Sequence, residues 1–381
     1  GRIVSMLANH LVIRNKTMPP KPQKTGLILN DTSRSTSGFT LFNTLGMFTT
    51  YLVNMRGDVV HQWELPGEPG NYTYLMPNGN LLAAIRTKDG PQGLPAKGGH
   101  LIEYDWDGNI VWEHVDSHQH HDFRRLANGN TVYLAWKLLE EDSIKWHTGG
   151  LPGSEHPDGV YGDVIREVNP AGETVWEWFV GTDMAEEMAK YPCHPAAWRR
   201  EYAHGNTIAP TNDGNFIINQ RMNSLMMIIN KEPKKIDWAM QDWEFGQQHD
   251  VQMLPNGNIM FFANGSLQAS FHGPEVGSRI IELDPKNNEV VWQYGSKAPK
   301  DFFSWYISGC QRLSSGNTLI CEGVHGHLFE VTPDGDVVWD YVNPFKVDYE
   351  HPVYTDANPT FRCYRYAADS EEIHGRLVDA G

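Results

Sequence analysis

The residues best suited to chemistry stand at fixed distances from a repeated turn glycine. His249 lies eight residues before Gly257, and the same count back from Gly79, Gly129, Gly214 and Gly316 gives Asn71, His121, Asn206 and Ser308. His204, two residues before Asn206, would face the same way on an extended strand. Seven residues after Gly214 stands Arg221, and the equivalent places elsewhere hold Arg86, Trp136, Asn264 and Gly323. An imidazole can attack as a neutral nucleophile or exchange a proton near pH 7. A guanidinium offers a planar fork of donors that fits tetrahedral oxyanions such as sulfate or phosphate. His121, His204, His249, Asn206 and Arg221 are therefore the candidate catalytic set, a cationic, donor-rich hollow. Three converging imidazoles could also hold zinc or copper, although Arg221 in the same hollow would repel such an ion. Any one of these histidines alone would ordinarily be a hydrogen-bonded structural residue. Their shared register is what packing does not explain, because packing would favour aliphatic side chains there.

The elements that must position them recur along the chain. L-M-P-N-G-N (75–80), R-L-A-N-G-N (125–130), T-N-D-G-N (211–215), M-L-P-N-G-N (253–258) and R-L-S-S-G-N (312–317) each sit between apolar runs. Asn-Gly is read as a two-residue type I′ hairpin turn with positive φ at both residues. Each such hairpin is followed by a second one whose last strand ends in tryptophan. Trp63, Trp112, Trp176, Trp238, Trp292 and Trp339 close six units, spaced by 49, 64, 62, 54 and 47 residues. Two hairpins give four strands, and one such sheet buries too little alone. Radial stacking covers both faces, so the expected fold is all-β, a six-bladed β-propeller of four-stranded antiparallel blades. The tryptophans are expected as wedges between blades. The first strand of each blade lies nearest the axis, which brings the counted positions to one mouth of the channel.

Where the spacing is longest, insertions are expected. Residues 138–162 are rich in Gly, Pro and His and read as a loop. Residues 181–203 include M-A-E-E-M-A-K, a short helical insertion between the third and fourth blades that stops before Pro192. Loops of this length tend to cover or shape a site. The chain divides into an N-terminal arm (1–24), the propeller (25–342) and a C-terminal extension (343–381) that packs back through Phe361–Tyr366. Strict alternation places His118 and His120 on the face opposite His121, as surface or blade-contact residues. It likewise turns Asp122 and Asp250 away from the mouth, towards the backbone of a neighbouring blade. If Ser315-Gly316 is a two-residue turn, Cys310 and Cys321 face each other, which permits a disulfide or a pair of buried thiols.

Composition excludes several classes. The net charge is −16, from 31 basic and 47 acidic residues without a basic cluster, so a nucleic-acid partner is not expected. No apolar run of about 18 residues exists to span a membrane. Gly1 to Leu7 is too short and broken for an intact signal peptide. A homo-oligomer is compatible with the sequence.

The ordered motifs resemble those of the arylsulfate sulfotransferases that work without a nucleotide sulfate donor (3′-phosphoadenosine 5′-phosphosulfate, PAPS). The likeness is carried by His121-Asp122-Phe123, His204-Gly205-Asn206, Asn219-Gln220-Arg221-Met222-Asn223-Ser224 and Gln248-His249-Asp250. It continues in C-Q-R-L-S-S-G-N-T-L-I-C and F-E-V-T-P-D-G-D-V-V-W. The resemblance implies a six-bladed propeller, a transiently sulfated histidine at His249, and His121, His204, Asn206 and Arg221 holding the sulfuryl group or handling protons. It implies an aryl sulfate donor, a phenolic acceptor, no cofactor, and a periplasmic or secreted setting. A metal-dependent propeller enzyme and a non-catalytic ligand-binding propeller are the alternatives.

Overall fold

A computed structural model describes residues 24–266, 277–295, 301–378, 380 and 381. Of the expected arm over 1–24, only residue 24 is among them. Six antiparallel sheets stand side by side, as the sequence units require. Blade 1 is formed by Phe39–Asn43, Thr49–Val53 and Val59–Glu64, with Cys363–Tyr366 as its innermost strand. Blade 2 runs through Pro69–Leu75, Leu81–Arg86, Gly99–Tyr104 and Ile110–Val115; blade 3 through Gln119–Arg125, Thr131–Leu138, Tyr161–Val168 and Thr174–Phe179. Blade 4 comprises Gly205–Pro210, Phe216–Gln220, Leu225–Asn230 and Lys235–Gln241, and blade 5 His249–Met253, Ile259–Ala263, Arg279–Asp284 and Glu289–Gly295. Blade 6 holds Gly309–Arg312, Thr318–Glu322, His327–Val331 and Val337–Val342, and Gly26–Asn30 adds a fifth, outer strand to it.

Both chain ends therefore close the ring. Residues 363–366 do more than pack on the propeller: they pair with Phe39–Asn43 and supply the strand that blade 1 lacks in its own stretch of sequence. Strands such as Phe216–Gln220, Ile259–Ala263 and Thr318–Glu322 are buried along their whole length, because neighbouring blades cover both faces. The outermost strands alternate, as in Ile110–Val115 and Glu289–Gly295. Each tryptophan wedge also bonds across to the next blade. Trp63 Nε1 donates to the Asp105 carbonyl, Trp112 to Pro170, Trp176 to Lys231, Trp292 to Pro333, and Trp339 closes the circle on Met55. Trp238 Nε1 uses the Asn288 side chain instead. Truncating the buried Trp63 or Trp339 to Ala is expected to cost about 3–5 kcal/mol.

The hairpin turns differ from the expected type I′. The Leu254 N–H bonds the Asn258 carbonyl and the Gly257 N–H bonds the Leu254 carbonyl, enclosing a three-residue loop. Gly257 alone has positive φ (+86°), while the Asn256 side chain accepts the Asn258 N–H at 3.0 Å. This is a type I turn followed by a left-handed glycine, in which the Asn acts through its side-chain acceptor. The added residue shifts the register by one, so Cys310 faces Ile320 and Gly309 faces Cys321. All four cysteines are buried thiols.

The insertion over 181–203 holds a 3₁₀ turn at Glu187–Lys190, and its next segment, Cys193–Trp198, pairs in parallel with Gly149–Leu151 of the other insertion. That second insertion, expected as loop throughout, also contains a helical turn at Glu141–Ile144.

Candidate active site at the mouth of the channel

The inner strands of blades 3, 4 and 5 bring His121, His204 and His249 to one end of the channel. None of the three arrives by plain strand alternation. His121 and His204 have φ of 49° and 61°, and Ala203, Gln247 and Asp250 are also left-handed. Bulges interrupt the pairing of all three inner strands near these residues. Left-handed non-glycine residues are uncommon and collect where a fold must aim side chains. Here they turn successive side chains inward where alternation would separate them.

His249 is buried. Its Nδ1 lies 2.8 Å from Asn264 Oδ1 and 3.3 Å from the Gln247 carbonyl. Two acceptors at Nδ1 hold the proton there and leave Nε2 with a free lone pair. Burial first, and the nearby Arg221 charge second, hold the His249 imidazole well below the usual histidine range. It is therefore neutral at pH 7. The backbone just before it is clamped: the Gln248 carbonyl accepts from Asn206 Nδ2 at 2.9 Å and Asn219 Nδ2 at 2.8 Å, and the Gln248 side chain bonds Ser224.

The His121 and His204 rings meet edge to face, with centroids 4.5 Å apart. Burial, followed by His204, His120, His249 and Arg221, pushes His121 well below its ordinary value. Arg221 follows the second strand of blade 4, and its N–H bonds the His204 carbonyl at 3.0 Å. Its Nε is buried with no partner, and among the described residues its side chain makes no ion pair. Burial lowers its pKa to about 10, so it stays charged at pH 7. The Tyr306 hydroxyl, which shares a hydrogen bond with Tyr354, also feels this charge. Phe361 stands edge-on to His249 at 6.1 Å. An unpartnered guanidinium beside neutral imidazoles can receive an anion, with a free Nε2 to attack it and aromatic side chains near by.

Four of the five candidates, His121, His204, His249 and Arg221, thus come together. Asn206 is at the same place, but its amide bridges to blade 5 and its Oδ1 accepts from Thr207 Oγ1. Arg86 does not join them: it pairs with Glu68 at the surface. The forward count also found two supports, Asn264 beneath His249 and Trp136. His120, assigned by alternation to the opposite face, is a correction. The bulge at Tyr133/Leu134 turns it inward, fully buried, stacked 4.3 Å from Trp136 and with Nδ1 2.8 Å from His121 Nδ1. Burial lowers its pKa to about 3. His118 is part-exposed beside Asp116, as expected.

Sequence reasoning missed Glu201. It lies in the insertion, outside any repeat register, and its Oε1 stands 2.6 Å from His204 Nδ1 while Oε2 accepts from Trp136 Nε1 at 2.8 Å. The only signal was a carboxylate three residues before a candidate histidine. Also missed was Asp163, whose carboxylate accepts the Gly205 N–H and Gln220 Nε2 and lies 3.7 Å from His120 Nε2. Burial and the Glu201 charge raise its pKa to about 7. Asp122 and Asp250 do bond the backbone of the following blade, at Ile208 and Cys310. Among the described residues, no three His, Cys, Asp or Glu side chains are arranged to hold a metal ion.

A protein of unknown function from Bacteroides caccae superposes with a TM-score of 0.55 at 14% identity, covering 86% of this chain and 98% of that one. A streptogramin B lyase follows at 0.47 and 10% identity, over 86% and 85% of the two chains. At these identities the first match supports the fold alone. No curated protein matches the chain. A profile of the arylsulfotransferase (ASST) family matches residues 99–344, which hold His121, His204, Asn206, Arg221 and His249. With nearly two thirds of its length matched, the chain belongs to the arylsulfotransferase family.

Proposed function

We propose that this protein moves a sulfuryl group from a phenolic sulfate ester to an acceptor hydroxyl without a nucleotide donor, in two steps through a sulfohistidine at His249. Family membership supports sulfuryl transfer in general. The observation that carries the finer reading is the pairing of a neutral His249, its proton held on Nδ1 by Asn264, with the unpartnered cation of Arg221.

In the first step Nε2 attacks sulfur, the sulfur–oxygen bond to the aryl group breaks, and its electron pair leaves on the phenolate oxygen. In the second, the acceptor oxygen attacks sulfur and the nitrogen–sulfur bond returns its pair to Nε2. Covalent catalysis divides one difficult transfer into two easier ones. Charge grows on the equatorial oxygens, where Arg221 and His121 would stabilise it, by analogy with phosphoryl transfer. His204 would carry the proton for the leaving and entering oxygens. Tyr306 and Phe361 offer aromatic surface to an aryl group. A setting outside the cytoplasm, periplasmic or secreted, goes with this reading, as is typical of the family.

The test is intact-mass measurement after mixing with 4-nitrophenyl sulfate and no acceptor. A gain of about 80 Da, one SO₃, is expected in the wild type and absent in His249→Ala, as covalent catalysis at that residue requires. No adduct in the wild type, or an adduct kept by His249→Ala, overturns it.

A further inference from the structure

Glu201 has no place in the reading above, yet it is among the most costly residues to place where it is. A carboxylate is seldom buried without donors on both oxygens, and here one oxygen faces the His204 imidazole and the other the Trp136 indole. Burial works to raise its pKa, but His204, His120 and Trp136 outweigh it and hold it below the usual glutamate range. Its backbone is pinned to blade 3. Glu201 bridges Tyr161, the Tyr202 N–H bonds the Tyr161 carbonyl at 2.6 Å, and the Tyr161 N–H bonds the Arg200 carbonyl at 3.1 Å. The insertion thus delivers a fixed, ionised carboxylate to one nitrogen of a histidine whose ring lies 4.5 Å from His121 at the mouth.

We propose that Glu201 is the positioning residue that makes His204 the proton carrier of both half-reactions. The assignment rests on the sulfuryl-transfer reading. Glu201 keeps the His204 proton on Nδ1 and balances the positive charge present whenever Nε2 is also protonated. As the sulfur–oxygen bond to the aryl group breaks, the Nε2 proton passes to the departing phenolate oxygen. When the acceptor attacks the sulfuryl group on His249, its hydroxyl proton passes to the same Nε2, and His204 returns to its starting state. A carboxylate that orients an imidazole and balances its charge is a recurrent way of making a histidine an effective acid and base. Trp136, by holding Oε2, fixes the carboxylate, and by stacking on His120 it ties this pair to the neighbouring imidazoles.

The discriminating variant is Glu201→Gln, whose amide oxygen can still accept opposite Nδ1 while the charge and the acceptor for Trp136 Nε1 are removed. Rates of the first half-reaction would be measured with 4-nitrophenyl sulfate, whose leaving group needs little protonation, and with phenyl sulfate, whose leaving group needs much. The expected result is a loss of about 10²-fold for phenyl sulfate but only a few-fold for 4-nitrophenyl sulfate, the range for one general acid. KM should be nearly unchanged, Glu201→Asp should recover part of the loss, and the double variant with His204→Gln should lose no more than His204→Gln alone. Trp136→Phe should reproduce the pattern more weakly without touching the charge. Equal losses for both donors in Glu201→Gln and Trp136→Phe, or no loss in either, overturn the assignment. Absence of a His249 adduct in the wild type overturns the sulfuryl-transfer reading and this assignment together. An adduct that forms normally while the donor dependence stays flat overturns this assignment alone.

Discussion

The two ends of a single dipeptide behave oppositely in this protein. His121 and His249 turn to the mouth of the channel, and the aspartates that follow them, Asp122 and Asp250, turn to its floor. On the floor every charge is reciprocated. Arg362, from the C-terminal segment, pairs with Asp122 at 3.0 Å and Asp250 at 3.2 Å, and it donates to the Asn206 carbonyl and Thr207 Oγ1. Asp122 also receives Arg124 and the backbone of Phe123 and Ile208. Burial works against the Arg362 cation, but Asp122 and Asp250 outweigh it and raise its pKa. At the mouth, the half-buried Arg221 guanidinium makes no ion pair among the described residues, beside imidazoles that burial keeps neutral. Nothing in residue type separates Arg362 from Arg221; the difference is contact, because Arg362 touches two carboxylates while Glu201, whose charge Arg221 feels, has its oxygens taken up by His204 and Trp136. A buried polar group left open marks the place where a ligand is expected to complete the set.

Substituting each arginine by leucine should break the comparison if it is wrong. Arg362→Leu strands two buried carboxylates, and removing one partner of such a group typically costs about 3–5 kcal/mol. A large fall in the urea midpoint is expected, with the remaining folded fraction still able to form the His249 adduct. Arg221→Leu removes a cation that has no ion pair, so the midpoint should stay or rise slightly. Turnover, however, should fall about 10²–10³-fold, as for a lost oxyanion donor. If Arg221→Leu destabilises as much as Arg362→Leu, the mouth is a structural cluster and the distinction fails. A smaller effect is expected at Asn264→Ala. Left with only the more distant Gln247 carbonyl at Nδ1, the His249 ring can put its proton on Nε2 more readily, and adduct formation should slow about tenfold, by the 1.4 kcal/mol or so that one hydrogen bond is worth, as followed by rapid-quench mass measurement.

How the site is assembled also explains what the sequence could reveal. Six tryptophans and five turn glycines are local signals with a regular spacing, so blade number, the four-strand repeat and the convergence of His121 and His249 were readable. Several features were not. His120 was misassigned because alternation presumes an unbroken strand, and a bulge with left-handed residues removes that premise. Arg362 lies in the segment expected only to pack back on the propeller, since the strand it precedes pairs with Phe39–Asn43, more than 300 residues away in the chain, and no local pattern names a distant partner. Glu201 sits in an insertion where counting from a glycine means nothing, and its neighbour His204 was found only because it adjoins Asn206. The turn type failed for a smaller reason: the side-chain acceptor of Asn serves a three-residue loop as well as its φ tolerance serves a two-residue one.

The smallest expected effect contrasts the mouth with a histidine that the fold does neutralise. His327 in blade 6 lies between Glu322, 2.8 Å from Nδ1, and Asp340, 3.0 Å from Nε2. Burial lowers its pKa, but these two carboxylates outweigh burial and raise it to about 9, from an ordinary 6.5. Its stabilisation is therefore complete below about pH 6.5 and is lost as pH climbs through about 9. Two of the histidines at the mouth have the opposite sign. His121 and His249 are held below 6.5 in the folded protein, so between 6.5 and their folded values the unfolded chain binds more protons. Stability should fall as pH drops through that window. Urea midpoints of the wild type should then decline on both sides of neutrality. His327→Gln should flatten only the alkaline limb, and His249→Gln only the acid limb. An acid limb untouched by His249→Gln would mean that the imidazole is not held neutral by its surroundings. The nucleophile would then have to be explained by something other than burial beside Arg221.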